Sequence, residues 1–136
     1  MTIATLSLLA LPSLVRATSS ELCVRDSQLG KGGVIRFAPV DLNGPGPKLL
    51  RGVITVDGLC TPLEGSGEST TSGTVFIGVK AKLGDGTQVL DYHMVADRNL
   101  RASGTISTTE AKRGFYQTRA IWTPVDCESP PACAQN

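Results

Sequence analysis

Two segments of the chain alternate apolar and polar residues with period two, and a Gly-Asp-Gly tripeptide separates them. Thr74–Leu83 reads TVFIGVKAKL, Thr87–Ala96 reads TQVLDYHMVA, and Gly84-Asp85-Gly86 lies between. Period-two alternation marks a strand with one dry face, and Asp-Gly suits the tight turn that folds such strands together. If Asp85-Gly86 is a two-residue turn, Leu83 faces Gln88, Ala81 faces Leu90, Val79 faces Tyr92, Ile77 faces Met94 and Val75 faces Ala96. The other face then pairs Lys80 with Asp91, Gly78 with His93 and Phe76 with Val95. A three-residue turn would instead set Val79 against Asp91 and Ile77 against His93, because a one-residue slip flips one strand's side chains. The two-residue register is the better physical choice. It predicts burial of Val75, Ile77, Val79, Leu90, Tyr92 and Met94.

The rest of the chain reads the same way. Leu22–Asp26, Val34–Ala38, Leu50–Asp57, Gly104–Thr108 and Phe115–Thr123 are further strand candidates. In the last of these, Tyr116, Thr118, Ala120 and Trp122 share one face, with Trp122 as a core anchor. Asn43-Gly44-Pro45-Gly46-Pro47 must be a loop. Leu63–Gly73, rich in Gly, Ser and Thr, reads as a long polar loop. The 15 Gly and 8 Pro lie mostly between β-branched runs, and no heptad or long helical period appears. The expected fold is all-β: one domain, an antiparallel two-sheet sandwich of about seven strands, with a closed barrel as the alternative.

Met1–Ala17 resembles a secretory signal. An uncharged apolar run, Ile3–Leu11, precedes Pro12 and a Val15-Arg16-Ala17 cleavage motif, although the start carries no Lys or Arg. The run is too short to span a bilayer. The expected organisation is therefore a signal segment over 1–17 and a mature β domain with a C-terminal tail over 18–136. No stable membrane anchor is expected, and the location is extracellular. Four cysteines, Cys23, Cys60, Cys127 and Cys133, all follow the cleavage motif. An even number in a short exported chain points to two disulfides. Cys23–Cys60 with Cys127–Cys133 is the favoured pairing, because Pro130-Pro131 can fold Cys133 back, but a bridge joining the two halves stays open. A zinc site lacks a CxxC pair, and the sole histidine, His93, is remote in sequence.

Charge excludes one class of function. With 13 basic and 12 acidic residues the formal net charge is +1, so nothing marks a nucleic-acid or anionic-membrane partner. Aromatic residues are only 4% of the chain, too few for a surface that stacks sugars or bases. His93, with Asp91 two residues before it on one strand face, is the catalytic candidate, as a general base. The plainer reading is a surface histidine beside a Lys80–Asp91 pair. No G-x-S-x-G elbow, calcium-loop pattern or N-glycosylation sequon occurs, and no cofactor is expected.

Three functions remain. The first is a secreted interaction module whose Asn43–Lys48 or Glu64–Ser72 loops meet an extracellular protein or surface ligand. The second is a secreted hydrolase using His93. The third is a secreted enzyme inhibitor presenting Leu59-Cys60-Thr61-Pro62-Leu63 to a protease.

Overall fold

The computed structural model describes residues 21–29, 33–56, 58–83 and 86–127. The candidate signal segment, the Gly84-Asp85 half of the hairpin turn and Cys133 lie outside them. The strands are β1 (Leu22–Asp26), β2 (Val34–Phe37), β3 (Lys48–Val56), β4 (Leu59–Ser69), β5 (Val75–Leu83), β6 (Gln88–Ala96), β7 (Ala102–Glu110) and β8 (Gly114–Val125). Each pairs antiparallel with the next, and β1 returns to β8. The fold is thus the closed barrel, not the sandwich.

The β5–β6 hairpin has the two-residue register: Val79 lies opposite Tyr92, Lys80 opposite Asp91, and Gly78 opposite His93. All six residues expected to be buried there are buried.

The strand that sequence reading misses is β4. The expected Leu63–Gly73 loop is strand as far as Ser69, paired to both neighbours. Its glycines are the reason. Gly65 faces inward where the wall bends tightly: a Cβ there would lie 1.9 Å from the Gly78 carbonyl oxygen. At Gly67 it would lie 3.0 Å from Leu50 Cδ1. Small residues that read as loop are here the condition for strand curvature and closure. This pairing also corrects two functional expectations. Glu64–Ser69 is not a display loop. The Leu59–Leu63 segment is a strand paired with β3, with Thr61 and Leu63 buried, so it is not an exposed inhibitor loop.

Alternation sends Val24, Ile35, Leu50, Ile54, Leu63, Val79, Tyr92, Ile106 and Trp122 into one core. Trp122 packs between Phe37 and Tyr92, with ring centroids 5.7 and 5.3 Å away. The interior is filled by side chains, as an eight-stranded barrel permits. An apolar inside and charged outside reverse the pattern of a membrane-spanning barrel. Among the described residues no helix is long and apolar enough to cross a membrane.

Leu42, from the β2–β3 loop, and Leu100, from the β6–β7 turn, plug one end. Leu100 holds a left-handed backbone (φ 66°), unusual for leucine, while its side chain is fully buried. Asp97 secures that turn by accepting from the Asn99 and Arg101 amides. At the same end a disulfide joins Cys23 to Cys127 across the β1–β8 seam, with Cα atoms 5.3 Å apart. Cys23 lies opposite Val125, so closing the barrel carries Cys127 alongside it. This overturns the Cys23–Cys60 and Cys127–Cys133 pairing. Cys60 is also disulfide-bonded, and no described cysteine is a free thiol.

Candidate functional site

Three features singled out in the sequence meet on the outer wall of β4, β5 and β6. Pro47 of the Asn43–Lys48 loop, Ser66 and Glu68 of β4, and His93 of β6 line one depression of about 380 Å³. Phe76 and Val95 complete it. They are a cross-strand pair, 53% and 48% exposed, so two large apolar side chains stand side by side in water. Gly78 is the floor. It lies between Ser66 on β4 and His93 on β6, and it has no side chain to fill the gap. A Cβ at Gly78 would have 4.0 Å to its nearest neighbour, so packing does not demand this glycine.

The neighbouring loop is ordered by its own polar groups. The Asp41 carboxylate accepts from the Asn43 amide at 2.9 Å and from the Asn43 side chain at 3.0 Å. These bonds, the backbone one foremost, hold the Asp41 carboxyl below its ordinary pKa. Leu42 is buried beneath, and its carbonyl accepts from the Ser69 hydroxyl. The loop is thus pinned at one side while Asn43, Gly44 and Pro45 face solvent.

His93 is 64% exposed, with Nε2 3.3 Å from Asp91 Oδ1. Lys80 approaches the other oxygen of Asp91 at 3.8 Å. The carboxylate thus serves two neighbours, as strand register requires. Catalysis by a histidine base needs a nucleophile within its reach. Among the described residues no hydroxyl is hydrogen-bonded to His93. The geometry is that of a polar rim to the depression.

The structure also brings together residues that sequence reading left scattered. Asp26 ends β1 with its side chain in the core, 1% exposed. It accepts from the Tyr92 hydroxyl across the interior and from the Gln28 amide at 2.8 Å. Burial, and then the Asp26 charge, raise the Tyr92 pKa well above its ordinary value. The nearby Trp122 Nε1 is buried without a hydrogen-bond partner among the described residues. Parity gives the one signal for Asp26: it shares a strand face with Val24 and Leu22. Its geometry is structural, since the carboxylate both orders the β1–β2 turn and anchors Tyr92. A polar cluster sits at the far end of the barrel, where Glu110 accepts from Gln88 at 3.1 Å and Tyr116 at 3.0 Å. Among the described residues no three His, Cys, Asp or Glu side chains lie close enough to hold a metal ion.

No protein-family model, curated protein or solved structure compared with the chain matches it.

Proposed function

We propose that the protein is an exported binding module that meets an extracellular protein or surface ligand through the depression over Gly78. The observation that carries this reading is the exposed Phe76–Val95 pair beside a glycine floor that folding does not require. Exposed apolar groups in a concave, polar-rimmed setting gain by covering, whereas isolated ones need no explanation. The occupant sets an apolar group against Phe76, Val95 and Pro47 and hydrogen-bonds to Ser66, Glu68 or His93. Export agrees with the apolar run at Ile3–Leu11 and with cysteines held in disulfides.

The test uses labelled mature protein on cells and secreted material from its source. Wild type binds saturably. Gly78→Val fills the floor, and Phe76→Lys charges the wall. Each weakens binding by about tenfold or more, the loss of a well-buried interface residue, while near-ultraviolet circular dichroism stays unchanged. Saturable binding indifferent to both substitutions, or none at all, contradicts the proposal.

A further inference from the structure

Among the described residues, part of one edge of strand β8 has no strand partner. The strand pairs with β7 from Gly114 to Trp122, but β1 reaches it only from Trp122 to Val125. The last contact on that side is Ile121, whose carbonyl accepts from the Ser27 amide and whose amide donates to the Ser27 hydroxyl. Along a strand, amides and carbonyls of alternate residues point to the same side. Phe115, Gln117 and Arg119 share the direction of Ile121, so their main-chain groups point to the open edge. Among the described residues no strand pairs with that edge. Gly114–Arg119 are exposed on both faces, with Phe115 at 65%.

We propose that this edge is a self-association site: two copies of the chain pair Phe115–Arg119 antiparallel, about a twofold axis through Gln117. The parity fits. Gln117 opposes its own copy, Phe115 opposes Arg119 of the second copy, and all these residues have main-chain groups aimed across the gap. About six main-chain hydrogen bonds form. The side chains are self-complementary in this register. Each Arg119 guanidinium meets a Phe115 ring, a cation–π pair made twice, and Tyr116 meets Thr118, an aromatic against a β-branched residue. Sliding the axis toward the β7–β8 turn sets Arg119 against Arg113, like charge on like. Sliding it the other way needs Ile121, already bonded to Ser27. The contact is small, so the dimer is of the weak, exchanging kind. It is independent of the depression over Gly78, which lies on β5.

The test is sedimentation equilibrium of the oxidised mature protein from about 10 μM to 1 mM, the range of weak association. The apparent mass rises toward twice the monomer mass. Gln117→Pro removes the central donor and keeps the protein monomeric. Because proline can disturb β8 itself, a charge variant supports it: Phe115→Arg opposes Arg to Arg and weakens association roughly 5- to 30-fold. The swap Phe115→Arg with Arg119→Phe restores it, since each ring again meets a guanidinium. Gly78→Val dimerises like wild type, which separates this proposal from the binding reading. A wild type monomeric at 1 mM overturns the proposal, even if a foreign peptide adds to the edge. So does a dimer indifferent to Phe115→Arg, or a swap that fails to restore it.

Discussion

The hydroxyl of Tyr92, on β6, donates to the carboxylate of Asp26, at the end of β1. The bond joins strands that share no edge, so it fixes the barrel's cross-section rather than its wall. Removing the donor leaves a buried carboxylate short of one partner. Tyr92→Phe is expected to destabilise by about 1–3 kcal/mol, read from the urea midpoint.

Tyr92 also gives a pH signature. Its folded pKa is raised above the ordinary 10.0 by burial and by Asp26. Below that ordinary value both states hold the proton, and its contribution is fully present. Above it the unfolded chain loses the proton first, so stability falls with rising pH until the folded pKa is reached. The slope is about 1.4 kcal/mol per pH unit. Comparing wild type with Tyr92→Phe from pH 9 upward isolates it. Equal slopes in the two proteins would contradict the buried phenol.

The Cys23–Cys127 bridge closes a loop with a sequence separation of 104 residues. Constraint of the unfolded chain grows with loop length, and a loop this long gives about 4–5 kcal/mol at most. The double variant Cys23→Ala with Cys127→Ala should lose about 2–5 kcal/mol of unfolding free energy and keep its strand content, because β1 and β8 still pair.

Inward glycines set the barrel's curvature. A Cβ at Gly104 would lie 2.0 Å from the His93 carbonyl oxygen, as tight as at Gly65. Gly65→Val and Gly104→Val are each expected to cost about 3 kcal/mol or more. Gly78→Val, with open space above it, should change stability by under about 0.5 kcal/mol. Urea unfolding of the three variants side by side checks the contrast.

The exposed Asp91–His93 contact is a rim feature. His93→Ala should change stability by less than about 0.5 kcal/mol, measured by thermal and urea unfolding. A larger loss would mean that the imidazole supports the wall in a way its exposure does not suggest.

What could be read from sequence follows the period of the side chains. The hairpin register was legible because one choice puts Val79 against Tyr92 and the other puts it against Asp91. The core role of Trp122 was legible from its parity with Ala120. Strand β4 was not, since Gly65, Gly67, Ser66 and Ser69 look like loop until the curvature demanding them is seen. The disulfide pairing was hidden for a related reason: only closure of the barrel sets Cys23 beside Cys127. The inward face of β8 was half right. Ala120 and Trp122 are buried, but Tyr116 and Thr118 lie beyond the reach of the short β1 and stay exposed. As for the candidate site, Pro47, Ser66, Glu68 and His93 each came from segments the sequence marked out, but their convergence depends on β4 being a strand.

The seam between β1 and β8 is the claim on which the closed barrel and the extent of the open β8 edge depend. Disulfide mapping of unreduced protein tests it most directly, using cleavage at Lys, Arg and Glu so that Glu128 separates Cys127 from Cys133. The account predicts a linked pair of peptides containing Cys23 and Cys127. Recovery of Cys23 linked to Cys60 would contradict it.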